Sequence, residues 1–256
     1  MPHQRTSTKR EPDKALEHLI EEPSSVGIIY QDEHLVAIDK PAGLLSHPNP
    51  GSEDGSVISV LNKMGFHLVG GEDPVRSGLI HRLDRDTSGV LMLAKTQEAY
   101  EKAQNLFRER LVKKCYHFPA FGPVRRMEFT RRDPLGRHPV RRNTRIIDPA
   151  GRDAETHFKL LEIFSPKYTF WEAQPKTGRT HQIRVHAQAA QLSILGDPHY
   201  SVGLAIRDLQ FKPTRTLLHC ISVELPHPIT GVKLRLESPY PLDFEENLKE
   251  LRALKS

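Results

Sequence analysis

The amino-acid sequence predicts an α+β fold with a mixed, mainly antiparallel sheet and flanking helices. Most of the apolar, strand-like segments come in pairs joined by short turns, a pattern typical of antiparallel hairpins. Helical segments lie between only a few of them, whereas a parallel α/β sheet alternates strands and helices regularly. The 256 residues can form one large domain or two small ones, with a sizeable core.

The N-terminal segment, residues 1–24, is polar and charged, and we expect a tail there with a short helix at Asp13–Glu22. Residues 25–256 are expected to form the folded part. Gly27–Ile38 alternates apolar and polar residues in two pieces around a polar turn, which indicates a hairpin. Lys40–Gly43 (Lys-Pro-Ala-Gly) predicts a turn after it, because proline fixes its own φ and glycine allows a positive φ.

Two helices and two strands are expected in the middle of the chain. A helix is expected at Ser56–Met64, and Val90–Ala94 has the continuous apolar character of a buried strand. Thr96 is a suitable N-cap for a helix over Gln97–Arg110, whose apolar positions follow helical spacing. Lys113–Phe121 then predicts another strand.

The C-terminal half predicts two hairpins and two helices. A Ser-Pro-Lys turn separates the first pair of strands, and a Pro-Ile-Thr-Gly turn separates the second. The elements are antiparallel strands at Ala154–Ile163 and Tyr168–Gln174, a helix at Thr180–Gln191, a hairpin of Ser222–Leu225 with Val232–Leu236, and a helix at Asp243–Leu254.

Composition limits the cellular setting. The longest clean apolar run, Val90–Ala94, is far too short to cross a bilayer, and the charged N-terminus does not resemble a secretory signal. Cys115 and Cys220 lie far apart and lack metal-ligand spacing. We therefore expect a reduced, cytoplasmic protein without a membrane partner.

Positive charge is concentrated in one stretch. The chain carries a net charge of +5. Between residues 125 and 145, eight arginines face two acids, a net +6, which leaves −1 for the rest. Arginine forms forked hydrogen bonds to phosphate, so this stretch is either an anion-binding surface or a solvated loop. The eight are Arg125, Arg126, Arg131, Arg132, Arg137, Arg141, Arg142 and Arg145.

One polar loop has the composition of a reactive site. In His81–Gly89 (His-Arg-Leu-Asp-Arg-Asp-Thr-Ser-Gly), Asp84 stands between Arg82 and Arg85, and short apolar segments flank the loop. Buried elements often present reactive groups on such loops, and neighbouring cations keep a carboxylate ionised. Composition alone leaves two interpretations, a reactive carboxylate or a solvated turn with surface ion pairs.

This loop resembles the active-site signature of the RluA-type pseudouridine synthases, and three further segments resemble that family in the expected order. Together the similar segments run from about residue 26 to 236. They are Ile28–Gly43 with its Lys-Pro-Ala-Gly turn, Lys114-Cys115-Tyr116, and Lys176–His186 (Lys-Thr-Gly-Arg-Thr-His-Gln-Ile-Arg-Val-His) followed by Ile194–Asp197 (Ile-Leu-Gly-Asp).

The resemblance implies the family's fold with a central RNA-binding cleft, and it implies roles for three residues. Asp84 is the catalytic carboxylate, Tyr116 stacks on the base and can take a proton from it, and Arg184 pairs with the aspartate. Asp86 is the alternative acid, with turn hydrogen bonding as its expected role. Near Tyr116 the chain departs from the family pattern, because Phe118 replaces a small residue and a proline interrupts the strand.

The expected partner is RNA, either rRNA or tRNA, bound by a monomer. The resemblance implies that Arg82 holds the RNA around the target. Arg179 and His181 start a helix, where phosphate is favoured, and the basic stretch, treated as an insertion at 122–150, supplies further contacts. Its candidates are Arg131, Arg132, Arg141 and Arg142. The short N-terminal segment suggests that the ribosomal-protein-like RNA-binding domain of many relatives is absent.

Converting uridine to pseudouridine requires no cofactor or metal, because nothing is oxidised or hydrolysed overall. The 14 histidines include no zinc-binding spacing. Two other functions stay open: a catalytically silent RNA-binding or ribosome-assembly protein on the same scaffold, and a glycoside hydrolase. The hydrolase would need two carboxylates at the sugar, and Asp84 and Asp86 lie only two residues apart.

Overall fold

The computed structural model describes residues 25–48, 54–69, 77–141, 143–201 and 213–254. The helix expected at Asp13–Glu22 lies outside this part of the chain. The strands are β1 (Gly27–Gln31), β2 (Leu35–Lys40), β3 (Ser88–Ala94), β4 (Lys113–Phe121), β5 (Glu128–Arg131), β6 (Leu135–Arg137), β7 (Arg145–Ile147), β8 (Thr156–Ile163), β9 (Tyr168–Pro175), β10 (Ser193–Ile194), β11 (His219–Pro226) and β12 (Lys233–Glu237). The helices are α1 (Val57–Lys63), α2 (Gln97–Arg108), α3 (Gln182–Ala189) and α4 (Leu242–Ala253).

Ten of these strands form one mixed sheet, so the predicted α+β class is confirmed. The order is β1-β2-β3-β11-β4-β9-β8-β5, with β10 also paired to β4 and β12 to β11. Only β3 and β11 run parallel, and the other pairs are antiparallel. Strands β6 and β7 form a separate two-stranded sheet. None of the helices in the described ranges has the length and apolar character needed to span a bilayer.

The core lies around the middle of the sheet. Every residue of β3 is buried, and Leu35–Ile38 of β2 is fully buried as well, as expected for strands covered on both faces. The Thr96 hydroxyl caps α2 by accepting the Ala99 N–H, as predicted, and Ala99 and Ala103 of α2 are buried. This packing fixes α2 beside the strands that carry the polar loop.

The start of β3 is fixed by a close backbone approach. Gly89 pairs with Cys220 of β11 and has a φ of +111°. A Cβ atom at residue 89 would lie 2.2 Å from the Cys220 carbonyl oxygen, so only glycine fits. The polar loop that ends at Gly89 is therefore attached to the centre of the sheet.

Two details of the strands differ from the sequence-based expectation. The basic stretch is not only loop, because it contains β5, β6 and β7. Pro119 does not interrupt β4 either. On one edge of β4, the pairing with β11 ends at His117 and the pairing with β10 begins at Ala120, so Pro119 lies between the two partners. The N–H and C=O groups of one strand residue point to the same edge, and the Pro119 carbonyl accepts the Leu195 N–H on this edge. The N–H that proline lacks would therefore point into the gap between β11 and β10, where no strand partner needs it.

Candidate active site

A cleft of about 660 Å³ opens beside the polar loop. The loop, α2, β4 and the segment from Pro175 to Arg184 line it. Among the described residues, Asp84 is the only acid in this lining. Eight arginine and lysine side chains line the same cleft, so it favours an anionic ligand. They are Arg82, Arg108, Arg110, Lys114, Arg152, Lys176, Arg179 and Arg184.

The Lys40 side chain holds the backbone around Asp84. Lys40 is fully buried, and its Nζ donates to the carbonyl oxygens of Pro41, Arg85 and Thr87 at 2.8, 3.0 and 2.8 Å. The Thr87 N–H donates to the Asp84 carbonyl at 3.1 Å and closes the turn. Burial lowers the pKa of Lys40 to about 7, and below that pH its ammonium form supplies one N–H group to each of the three carbonyl acceptors.

Arg184 of α3 connects Asp84 to a second carboxylate. Its Nη1 lies 3.3 Å from Asp84 Oδ2, while Nε and Nη2 donate to Asp197 at 2.6 and 2.9 Å. Asp197 also accepts the backbone N–H groups of His199 and Tyr200. Burial alone would lower the pKa of Arg184 and raise that of Asp197, but their hydrogen bonds to each other shift both the opposite way. Both groups therefore stay charged, and Arg184 is held in place.

His181 contacts the same carboxylate oxygen from the other side. Its Nε2 lies 3.8 Å from Asp84 Oδ2, and its Nδ1 lies 2.9 Å from the Tyr200 hydroxyl. Burial lowers the pKa of His181 to about 4, so the ring is neutral. The Tyr200 oxygen accepts the Arg145 N–H, so the Tyr200 hydroxyl can donate its own hydrogen to His181 Nδ1. The neutral ring then carries its proton on Nε2, which faces Asp84. The residue has a strained left-handed conformation, with φ +56°.

Tyr116 completes the group that the family resemblance indicated. It lies on β4, is 7 % exposed and lines the cleft with Asp84 and Arg184. Burial raises its pKa well above the ordinary value, so the phenol is neutral. The side chain therefore offers a flat ring to a ligand in the cleft, while its hydroxyl interacts with the thiol of the buried Cys220.

The residues predicted to bind RNA separate into two groups. Those from the motifs line the cleft: Arg82, bonded to Thr180 Oγ1 at 2.9 Å, Arg179, bonded to the Asp153 carbonyl at 3.0 Å, and His181. Those described from the basic stretch lie outside its lining: Arg131, paired with Asp133 at 2.7 Å, Arg132, paired with Glu155 at 3.1 Å, and Arg141, 3.4 Å from His138. Arg142 lies outside the described residues.

Several residues that line the cleft or support it could not be predicted from the sequence. Arg108, Arg110 and Arg152 line the cleft but belong to no motif or charge cluster. Asp197 was noted only as part of a motif, and Lys40 only as part of a turn. Because their roles depend on segments meeting in space, the local sequence carries no signal for them.

One group of three possible metal-binding side chains occurs in the described part of the chain. Cys115, His117 and Glu172 have ligand atoms within 4.8 Å of one another. Side chains alternate along a strand, so Cys115 and His117 point away from the face on which Tyr116 lines the cleft. This group therefore lies across the sheet from Asp84.

Comparisons with known proteins agree with this geometry. The family described as RNA pseudouridylate synthase matches residues 34–189. A ribosomal large subunit pseudouridine synthase D of Pseudomonas aeruginosa is 38 % identical over 88 % of this chain and 71 % of its own length. An uncharacterized RNA pseudouridine synthase of Bacillus subtilis is 34 % identical over 96 % of this chain and 79 % of its own length.

Solved structures show the same fold. The human RNA pseudouridylate synthase domain containing 4 superposes with a TM-score of 0.70 and 27 % identity, over 88 % of this chain and 93 % of that one. The human RNA pseudouridylate synthase domain containing 1 has a TM-score of 0.69 at 22 % identity, over 91 % and 98 % of the two chains.

Proposed function

The chain belongs to the RNA pseudouridylate synthase family, in its RluA-type branch, and on that premise we propose that it converts specific uridines of structured rRNA or tRNA into pseudouridine with Asp84 as the catalytic carboxylate. One observation carries the assignment of Asp84: it is the only acid among the described residues of a cleft lined by cations. We further propose that residues 25–256 form one catalytic domain, with the basic stretch 122–150 as an insertion, acting as a cytoplasmic monomer.

The reaction exchanges one bond at the sugar for another. The bond between the sugar C1′ and N1 of the base breaks, the base turns, and C1′ bonds to C5 of the same base. The proton on C5 leaves and N1 gains one, so atoms and electrons balance without oxidant or water. Asp84 either attacks the sugar or removes a proton from it, and carboxylates serve in both roles.

Arg184 and His181 support either role of Asp84. Both face Oδ2, Arg184 within hydrogen-bonding distance at 3.3 Å and His181 farther away at 3.8 Å. The carboxylate is thereby oriented with its other oxygen, Oδ1, available to the substrate. A fixed carboxylate needs little reorganisation when the sugar becomes electron-poor in the transition state.

Tyr116 supports the base rather than the sugar. The ring is held on a central strand and its phenol is neutral at rest. Stacking is therefore its role while the base turns, and it could accept the C5 proton only after passing its own proton on. The target uridine must leave its stack to reach this position, and Arg82 and Arg179 lie on the walls that the displaced strand would contact.

The matched variants Asp84→Asn and Asp86→Asn test the assignment. Both are nearly isosteric and remove one charge from the same loop, but only Asp84 lines the cleft. Asp84→Asn should bind RNA and form no pseudouridine, while Asp86→Asn should retain substantial activity, measured by pseudouridine mapping on total RNA treated with each purified protein. Product from Asp84→Asn would refute its role, and wild-type protein that binds RNA without product would favour the silent scaffold.

A further inference from the structure

We propose that Arg110, Arg152 and Arg179 form a phosphate-binding site, here called the rim site, that holds the RNA backbone beside the target uridine. The inference rests on the proposed function and adds to it the place where the cleft contacts the phosphodiester chain. The main phosphate contacts would then lie in the cleft and not in the basic stretch, where positive charge is densest in the sequence.

The three arginines come from separate parts of the chain. Arg110 follows the end of α2, Arg152 lies between β7 and β8, and Arg179 lies between β9 and α3. All three line the cleft that contains Asp84. Arg179 is close enough to the other two that their charges, after burial, lower its pKa, while Asp153 offsets part of this effect. The fold thus brings three cations together against their mutual repulsion.

The nearby carboxylate of Asp153 offsets only part of this charge. Within the described ranges, no ion pair joins Arg110, Arg152 or Arg179 to an acid. Arg179 is fixed through Nε to the Asp153 carbonyl, which leaves both terminal nitrogens for a ligand. In contrast, Arg131 and Arg132 of the basic stretch each contact a carboxylate.

The backbone at Arg110 adds an independent observation. Its N–H donates to the Phe107 carbonyl and the Leu111 N–H donates to the Leu106 carbonyl, the pattern of a Schellman motif at the end of a helix. The residue at this position has φ +61°, a conformation that favours glycine. An arginine placed there at a conformational cost is consistent with a use for its side chain.

A phosphodiester is the ligand that fits these groups. Guanidinium groups bind phosphate oxygens through paired N–H donors, and clustered cations favour a polyanion over a neutral base. The site shares its cleft with the residues proposed to receive the uridine, so the bound phosphates would belong to nucleotides flanking the target.

The test compares two pairs of substitutions with equal loss of charge. Arg110→Gln with Arg152→Gln removes two rim cations, and Arg131→Gln with Arg132→Gln removes two cations of the basic stretch. Affinity for a structured rRNA fragment that the wild type binds is measured at several salt concentrations. Each lost phosphate contact lowers the log–log salt slope by about 0.7 to 0.9, so the rim pair should lose about 1.4 to 1.8.

Arg110→Gly separates binding from folding. Glycine suits φ +61°, so this variant should melt no lower than the wild type yet lose about one contact's share of the salt slope. An unchanged slope in the rim variants, or an equal loss in both pairs, would overturn the inference. Pseudouridine formation by the wild type is scored separately, so its absence would count against the proposed function and not against the rim site.

Discussion

Asp197→Asn tests whether Arg184 positions the proposed catalytic carboxylate. Asp197 is 3 % exposed and accepts two hydrogen bonds from Arg184, which in turn contacts Asp84. Asparagine has nearly the same shape and can still accept the N–H groups of His199 and Tyr200. The substitution therefore removes the charge that orients Arg184 without touching the cleft lining, which does not include Asp197.

The expected magnitudes follow from the burial of this pair. Removing one partner of a buried ion pair costs about 3 to 5 kcal/mol, and because the amide oxygen keeps part of the bonding, we expect a loss of about 3 kcal/mol in the free energy of unfolding. The contact between Arg184 and Asp84 is a charge-assisted bond of about 1.5 to 3 kcal/mol. If it is lost in the transition state, turnover falls by about 10- to 100-fold, at roughly 1.4 kcal/mol per factor of ten.

The assay combines single-turnover pseudouridine formation at saturating RNA with thermal unfolding. RNA affinity should stay near the wild-type value, and Glu162→Gln, which breaks the exposed pair with Arg252 at 3.1 Å, should change neither rate nor affinity. The pKa of Asp197 is lowered in the folded state. Its ionised form therefore stabilises the fold at pH values above the ordinary carboxylate pKa, and this stabilisation is lost on acidification. The stability gap between the two proteins should therefore shrink at low pH. Wild-type turnover in a destabilised Asp197→Asn would refute the positioning role.

Two further variants test the groups on either side of Asp84. Tyr116→Phe keeps the ring that we propose stacks on the base but removes the hydroxyl, so single-turnover rates should collapse while affinity in a filter-binding assay changes little. An unchanged rate would reduce Tyr116 to packing. Lys40→Met leaves three carbonyl groups without a donor and should cost about 3 kcal/mol in a denaturant titration, together with most of the turnover. The pKa of Lys40 is about 7 in the folded protein and ordinary in the unfolded chain, so the unfolded chain binds more protons between these two pH values. The free energy of unfolding of the wild type should therefore rise relative to that of Lys40→Met as pH rises from 7 towards 10. A difference in stability that does not change with pH would contradict this assignment.

Secondary structure could be predicted wherever a regular pattern met a clear boundary. The strand expected at Lys113–Phe121 has the same limits in the structure, α2 begins directly after its predicted N-cap Thr96, and α1 lies within the helix expected at Ser56–Met64. The strands β6 and β7 have three residues each and contain arginines. The charged residues therefore obscure the alternation of apolar and polar side chains that would predict a strand. The two-residue β10 is too short to give any periodic signal.

Site residues could be predicted only where a motif carried them. Asp84, Tyr116 and Arg184 came from the family resemblance, and the structure places all three in one cleft. Lys40 appeared as a turn residue, because nothing in the sequence shows that its amine is buried beneath the loop 45 residues away. Local charge density likewise favoured the basic stretch, whereas the unpaired cations of the rim site are scattered along the chain.

The geometry also separates isomerisation from hydrolysis at the sugar. Glycoside hydrolases need a second carboxylate near the first, either about 5 to 5.5 Å away or farther with a water between. The described lining of the cleft offers Asp84 alone, and the backbone carbonyl of Asp86 accepts from Arg215, which pairs with Asp243. A single oriented carboxylate suits a reaction in which the departing base is itself the group that returns to the sugar. For that reaction the protein must keep the base close during the exchange, and the role proposed for the buried ring of Tyr116, in the same cleft as Asp84, meets this requirement.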